Sequence, residues 1–152
     1  MTTIGKVLDE KGHQIWSIEP TATVYDALKL MAEKNIGALL VMEGDALIGI
    51  LSERDYARKV ILSGKSSKET LVSEIMTPNV ICVRANQTVE EGMALMTEKH
   101  IRHLPVLNEA QQVIGVVSMG DVVRTVIAQQ ELTIAHLEHY IASSEAMFYR
   151  SS

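Results

Sequence analysis

An internal repeat constrains this chain more than any other feature of its sequence. Residues 48–55 read IGILSERD and residues 114–121 read IGVVSMGD, so a Gly-x-x-Ser-x-x-Asp motif occurs twice. The match continues upstream in two further pairs of segments: TVYDAL at 23–28 with TVEEGM at 88–93, and NIGALLV at 35–41 with HIRHLPV at 100–106. Self-similarity over such a distance indicates a body built from two copies of one supersecondary unit.

Periodicity predicts the elements of each copy. Apolar residues at i, i+4 and i+7, starting at Val24 and again at Val89, predict one amphipathic helix per copy. Thr23 and Thr88 precede these helices, each with an acidic residue three positions later, which is a capping-box pattern. A second helix is predicted from about residue 53 to 62 and, in the other copy, from about Gly120 onward.

Short apolar runs separated by turn residues predict the strands. Two hairpins are expected, pairing residues 38–42 with 47–51 and residues 103–107 with 113–117. Leading strands are predicted at residues 14–18 and 80–84. Each copy therefore has the predicted order β-α-β-β-α, which is a mixed α/β (α+β) fold.

The segment 63–68, SGKSSK, has a linker composition and lies between the copies. It predicts a first repeat over residues 1–66, a second over 67–130 and a C-terminal helical extension over 131–152. A lone unit of roughly 65 residues buries only about 60% of its unfolded surface and is marginally stable. We therefore expect the repeats to pack together with pseudo-two-fold symmetry, leaving related crevices between them.

Charge and composition exclude several functions. The chain has 14 Lys and Arg against 19 Asp and Glu, a net charge of −5, which argues against general binding to nucleic acid. The first residues contain no apolar signal segment, and the longest apolar run, residues 38–42, is far too short to span a membrane. The expected compartment is the cytoplasm. Because Cys82 is the single cysteine, an intrachain disulfide and a cysteine-based metal cluster are excluded.

The repeated motif has two compatible interpretations. In the first, Ser52 and Ser118 cap helices, and Asp55 and Asp121 complete reciprocal capping boxes. In the second, the same exposed helix start binds an anion, while the carboxylate accepts hydrogen bonds from a sugar diol.

These motifs resemble a known family. The doubled Gly-x-x-Ser-x-x-Asp, the segment IRHLPV at 101–106 and the segment IMTP at 75–78 are similar to a tandem pair of CBS domains, the cystathionine-β-synthase repeat. The resemblance extends from about residue 4 to about residue 130. The stretch SERDYARK at 52–59 further resembles the small stand-alone CBS-pair proteins that carry no catalytic domain.

The resemblance implies two clefts for adenine nucleotides such as AMP, ADP, ATP or NAD(H). Carried over by position, one cleft would use Ser118 and Asp121 together with Lys6, Ile15, Gly37, Ala38 and His103. The other would use Ser52, Arg54, Asp55, Arg58, Thr77, Asn79, Ile81, Arg102 and His103. Since Arg54, Arg58 and Lys59 surround Asp55 while Asp121 has only Arg124 nearby in sequence, the second cleft is expected to tolerate more phosphate charge.

Other candidates have simpler explanations. His136 and His139 have a spacing that could hold a metal, although an exposed helix face explains them more simply, and no metal site is predicted. Cys82 lies in a predicted strand and is interpreted as a small buried residue. Trp16 could stack on an adenine or pack in the core.

The predicted function follows from these points. Apolar residues from Val122 to Ile141 form more amphipathic helix than one repeat requires, and a homodimer is the preferred explanation. We expect a non-catalytic energy or redox sensor whose nucleotide occupancy controls an unknown partner protein. The alternative is a nucleotide-independent structural dimer or docking adaptor. An enzyme is least favoured because no activated nucleophile, metal cluster or acid–base pair emerges.

Overall fold

The fold is an α+β arrangement of two small sheets and their helices, seen in a computed structural model that describes residues 2–144. The first half contains α1 (Ile4–Lys11), β1 (Ser17–Ile18), α2 (Val24–Lys34), β2 (Ala38–Glu43), β3 (Ala46–Ser52) and α3 (Glu53–Tyr56), followed by a π-helical turn (Ala57–Ile61). The second half contains α4 (Val72–Ile75), β4 (Val83–Arg84), α5 (Val89–Lys99), β5 (His103–Leu107), β6 (Val113–Ser118) and α6 (Met119–Ser144).

The two sheets have the same topology. In each, a short leading strand pairs in parallel with the first strand of an antiparallel hairpin, giving the orders β1-β2-β3 and β4-β5-β6. The register of the antiparallel pairing also shifts at equivalent positions in the two hairpins, between Val41 and Met42 and between Val106 and Leu107. The predicted repeat and both predicted hairpins are confirmed.

The helix starts follow the predicted caps in part. Thr23 Oγ1 accepts a hydrogen bond from the Asp26 N–H at 3.2 Å, and Thr88 Oγ1 accepts one from the Glu91 N–H at 3.1 Å. The Glu91 carboxylate accepts from the Gln87 side chain at 3.2 Å instead of reaching back to the Thr88 backbone.

The prediction for the start of each copy was wrong in two respects. The leading strands are only two residues long, and residues 79–81, which precede β4, line a cleft. Before β1 the chain forms α1, whose buried side chains Ile4, Val7 and Leu8 share one helical face. The second helix of the first copy, predicted from about residue 53 to 62, is one α turn followed by a π turn. The predicted extension is helical through Ser144, and residues 145–152 lie outside the described part of the chain.

The leading helices are exchanged between the repeats. Ile4, Val7 and Leu8 of α1 belong to the hydrophobic core under the second sheet, whereas Val72 and Ile75 of α4 belong to the core under the first. Backbone hydrogen bonds fix both exchanges, from the Ile4 N–H to the Gln87 carbonyl and from the Val72 N–H to the Ala22 carbonyl, each at 2.8 Å. Full burial of one such aliphatic side chain contributes about 1.5–3 kcal/mol. Neither stretch of repeat sequence contains a complete core.

The exchanged helices explain the glycine of the repeated motif. A Cβ added at Gly115 would lie 2.7 Å from Leu8 Cδ2, and one at Gly49 would lie 2.5 Å from Met76 Sδ. Each glycine leaves room on its strand for a residue of an element exchanged from the other copy. The side chain of Leu8 is fully buried, so it has little freedom to move away.

We therefore expect Gly115→Ala to lower the free energy of unfolding by about 1–3 kcal/mol through overpacking. Urea unfolding followed by circular dichroism measures this change. Gly120→Ala is the matched control, because its Cβ would meet nothing closer than 3.5 Å and alanine favours the α6 helix. Equal destabilisation of the two variants would contradict the packing argument.

Candidate ligand-binding site

Two clefts lie between the repeats, with volumes of about 620 Å³ and 280 Å³. The structure brings one predicted set of residues together completely in the larger cleft. Its lining includes Ser52, Arg54, Asp55, Arg58, Thr77, Asn79, Ile81, Arg102 and His103. These residues come from both halves of the chain, so the cleft depends on how the two repeats pack together.

The capping interpretation of the motif is confirmed in both repeats. The Ser52 N–H donates to Asp55 Oδ2 at 2.9 Å, and the Asp55 N–H donates to Ser52 Oγ at 3.2 Å. The Ser118 N–H donates to Asp121 Oδ2 at 2.8 Å, and the Asp121 N–H donates to Ser118 Oγ at 3.1 Å. These reciprocal bonds hold each carboxylate in a fixed position on a cleft wall.

The larger cleft is a basic patch on an acidic protein. The side chains of Arg54, Arg58, Lys99 and Arg102 line it, against the carboxylates of Glu53 and Asp55. Arg54 Nη1 donates to the backbone carbonyl of His100 at 3.1 Å, so one of these cations already bridges the two repeats. The apolar side chains of Ile50, Val80, Ile81 and Ile101 form the rest of the wall. Such a site can hold a ligand with one flat apolar part and one anionic part.

A lysine partner holds Asp55. Lys59 Nζ lies 3.1 Å from Asp55 Oδ1 and donates to the backbone carbonyl of Ile75 at 2.9 Å. Lys59 thereby connects the carboxylate to Ile75, the last residue of α4. Ile75 is followed by Met76 and by Thr77, which lines the larger cleft. A ligand diol on Asp55 must share this oxygen with Lys59 or displace it.

The smaller cleft is arranged differently from the sequence prediction. Gly37, Ala38, His103, Ser118 and Asp121 line it as predicted by position. The predicted residues Lys6 and Ile15 are absent from the lining of both clefts, and Lys6 is exposed on α1, where its N–H donates to Thr3 Oγ1. Residues not predicted for this cleft also contribute to the lining, among them Lys11, Gln14, Asn35 and Arg124.

Asp121 is bound by two cations, not by Arg124 alone. Its side chain is 7% exposed; Oδ2 lies 2.6 Å from Lys11 Nζ and Oδ1 lies 2.5 Å from Arg124 Nη2. Lys11 also donates to the backbone carbonyl of Val116 at 2.8 Å. Burial by itself would raise the pKa of Asp121, but the hydrogen bonds from Lys11 and Ser118 outweigh it and lower the pKa. The carboxylate of the smaller cleft is thus ionised and occupied by the protein's own cations.

Two aromatic side chains border the smaller cleft. Trp16 lines it, packs against the first core and has Lys34 Nζ 4.4 Å from its ring centroid. Both sequence interpretations of Trp16 therefore remain compatible with its position. His103 lines both clefts, and its pKa is lowered first by burial and then by the positive charge of Lys11.

The remaining sequence candidates lie elsewhere. Cys82 is half-buried, and burial raises the pKa of its thiol, so it lacks the thiolate character of a nucleophile. His136 and His139 are exposed on α6. Within residues 2–144, no group of three or more His, Cys, Asp or Glu residues could hold a metal, and no helix is long and apolar enough to cross a bilayer.

Comparison with known proteins identifies the class. The CBS domain family model matches residues 7–61 and 72–128, which together make up most of the chain. The chain belongs to the CBS domain family and consists of a CBS pair, as its motifs and its doubled fold indicate.

Particular relatives agree with this assignment. The CBS domain-containing protein CBSX3, mitochondrial, of Arabidopsis thaliana is 43% identical over 150 residues, which cover 92% of this chain and 72% of that protein. A putative signal-transduction protein with CBS domains from Burkholderia ambifaria is 52% identical in its solved structure, with a TM-score of 0.82 over 85% of this chain and 96% of that one. The structure of CBSX2 in complex with AMP is 26% identical, with a TM-score of 0.68 over 86% of this chain and 99% of that one.

The lowered pKa of His103 predicts how stability depends on pH. As the pH falls through 6.5, the ordinary pKa of histidine, His103 takes up a proton in the unfolded chain but resists protonation in the folded chain. The free energy of unfolding therefore decreases as the pH falls from about 7. We expect His103→Gln to reduce the loss of stability between pH 7.5 and pH 5.5, measured by urea unfolding at both values. His136→Gln, at an exposed position on α6, is the control and should leave the loss as in the wild type. An unchanged pH dependence in His103→Gln would contradict the assignment.

Proposed function

We propose that this protein is a non-catalytic regulatory module that binds an adenine nucleotide in the larger cleft. The observation that carries the proposal is the convergence of nine predicted residues from both repeats on one basic cleft of about 620 Å³. This volume is within the range of about 300–1,000 Å³ that is usual for small-molecule sites. The AMP complex of the similar protein CBSX2 supports the same ligand class.

Each part of the proposed nucleotide matches a group of residues in the larger cleft. The apolar wall of Ile50, Val80 and Ile81 is suited to the adenine ring, and the Asp55 carboxylate accepts from the ribose diol. Arg54, Arg58 and Arg102 supply the charge-assisted donors that phosphate prefers. ATP and NAD(H) share the adenosine diol and phosphate with AMP, so an energy signal and a redox signal fit the same cleft.

The residues that would contact the ligand also connect the two repeats, and this connection is the basis of the proposed regulation. Arg54 is bonded to the His100 carbonyl of the other repeat, so a phosphate that draws Arg54 away changes a contact between the repeats. Lys59 links Asp55 to the end of α4 in the same way. A nucleotide that binds the two arrangements with different affinity shifts their populations. We propose that a partner protein reads this shift on the surface of a homodimer, and the cytoplasm stays the predicted compartment.

Isothermal titration of nucleotide-free protein with AMP, ATP, NAD+ and NADH tests the function. We expect saturable binding of at least one of these ligands. Arg58→Gln should weaken binding about ten-fold or more, because one charge-assisted hydrogen bond contributes about 1.5–3 kcal/mol. Arg84→Gln is the control, since Arg84 is an exposed arginine of β4 outside both clefts. Adenosine, which lacks phosphate, should bind both variants equally.

Failure of all four ligands to bind at millimolar concentration would overturn the proposal in favour of a docking adaptor. An Arg58→Gln variant with wild-type affinity would remove Arg58 from the site. Turnover of any bound nucleotide, abolished by one point substitution in the cleft, would contradict the non-catalytic assignment.

Occupancy of the smaller cleft gives a further prediction. Because the Asp121 carboxylate is held by Lys11 and Arg124, we expect one nucleotide per wild-type chain. Lys11→Met removes the Lys11 bonds to Asp121 and Val116. Titration of this variant with adenosine should show a second, weaker binding event in the smaller cleft, so that two molecules bind per chain. Lys6→Met on the same helix is the control and should leave the stoichiometry at one. Two equivalents in the wild type would contradict this account.

A further inference from the structure

The second half of α6 extends beyond the packed body. The helix has 26 residues, which corresponds to a length of about 39 Å. Its beginning is anchored, since Val122 is fully buried and Thr125 is buried. Every residue from 131 to 142 is exposed. A helical segment of this length is marginal in water without packing, so this half of α6 needs a partner.

The exposed residues form a regular stripe. Ile127, Ile134 and Ile141 follow each other at intervals of seven, and because Leu137 comes three residues after Ile134 the isoleucines are a positions of a heptad. Val123 and Leu137 then occupy d positions. All five side chains are between 37% and 57% exposed. These five residues are the α6 stripe, and it runs continuously from the anchored half of the helix into the free half.

The heptad selects the kind of partner. Among parallel coiled coils, β-branched residues at a with leucine at d favour two strands over three or four, and Ile134, Leu137 and Ile141 have this arrangement in the exposed half of α6. We propose that the α6 stripe pairs with the same stripe of a second copy as a parallel two-stranded coiled coil. This inference deepens the homodimer of the proposed function and rests on it, because it names the surface and the orientation of the dimer.

Charges on the flanks of the stripe favour the parallel orientation. Glu131 and Glu138 occupy the e positions of the exposed half, whereas Arg124, at the e position before them, is already paired with Asp121. In an antiparallel pair, e positions face e positions, so these carboxylates would meet those of the second copy. In a parallel pair they face the g positions, Val126 and Thr133, and the like-charge contact is avoided. Gln130 is the one polar residue among the d positions from 123 to 137. In a parallel pair it would face Gln130 of the second copy and fix the register.

The dimer would connect directly to the clefts. Asp121, the carboxylate of the smaller cleft, lies in the first turn of the helix that carries the α6 stripe. Any rotation of α6 in the coiled coil therefore moves a wall of that cleft.

Sedimentation equilibrium of the full chain tests the surface. We expect a wild-type dimer and at least about a 100-fold larger dissociation constant for Leu137→Lys, because two ammonium groups would be buried in the seam. Leu132→Lys is the matched control: Leu132 is 57% exposed, as is Leu137, but it lies at an f position on the outer face. Circular dichroism establishes that both variants remain folded, and Ile134→Lys serves in place of Leu137→Lys if that variant does not fold.

A cysteine at position 130 tests the orientation. In a Cys82→Ser background, Gln130→Cys should form an intermolecular disulfide under mild oxidation, because equivalent d positions face each other only in a parallel pair. Leu132→Cys in the same background is the control and should stay reduced.

Each outcome has one meaning. A monomeric wild type overturns both the homodimer and the coiled coil, whereas a dimer equally sensitive to Leu137→Lys and Leu132→Lys, or to neither, overturns the coiled coil alone. A dimer that is broken by Leu137→Lys but gives no disulfide at position 130 overturns the parallel orientation.

Discussion

The exchange of leading helices between the repeats is the interaction on which the rest of the structure depends. Each repeat is too small to bury enough apolar surface alone. Each core is completed by the first helix of the other repeat, with Ile4, Val7 and Leu8 on one side and Val72 and Ile75 on the other. The two sheets are thereby fixed against each other, and the clefts between them acquire walls from both halves of the chain. Stability and the walls of the clefts have the same physical origin.

The repeated serine and aspartate have a structural and a proposed binding role at the same time. Their capping boxes are formed by the serine and aspartate of each motif alone, which explains why the motif is compatible with a purely structural interpretation. The same hydrogen bonds hold each carboxylate at a cleft wall with its second oxygen directed to a cation. In the larger cleft that cation is Lys59 from the following turn, and in the smaller cleft Asp121 has Arg124 together with Lys11 from the exchanged helix.

Pseudo-symmetry of the backbone does not make the two clefts equal. The larger cleft is wide and lined by several cations, whereas in the smaller cleft an almost fully buried carboxylate is neutralised by the protein itself. The difference arises from side chains at equivalent positions, such as Arg102 where the first repeat has Gly37. A duplicated unit can in this way keep one fold while its two clefts acquire different charge. The side chain of His103 lines both clefts, and the two differ although they share this residue.

The sequence by itself determined the doubled β-α-β-β-α unit, both hairpins, and the caps at Thr23 and Thr88. These features are local or are repeated in the chain, so periodicity and motif spacing are sufficient to predict them. The nine residues predicted for the larger cleft came instead from the resemblance of the motifs to CBS domains, carried over by position. The pairing of Lys11 with Asp121 and the exchange of α1 and α4 were decided by tertiary structure, because they join residues far apart in the chain. The apolar face of Ile4, Val7 and Leu8 was present in the sequence as a helical signal, and Lys11 continues that face. Which core the face would enter depends on how two incomplete cores share their helices, and no local pattern contains that information.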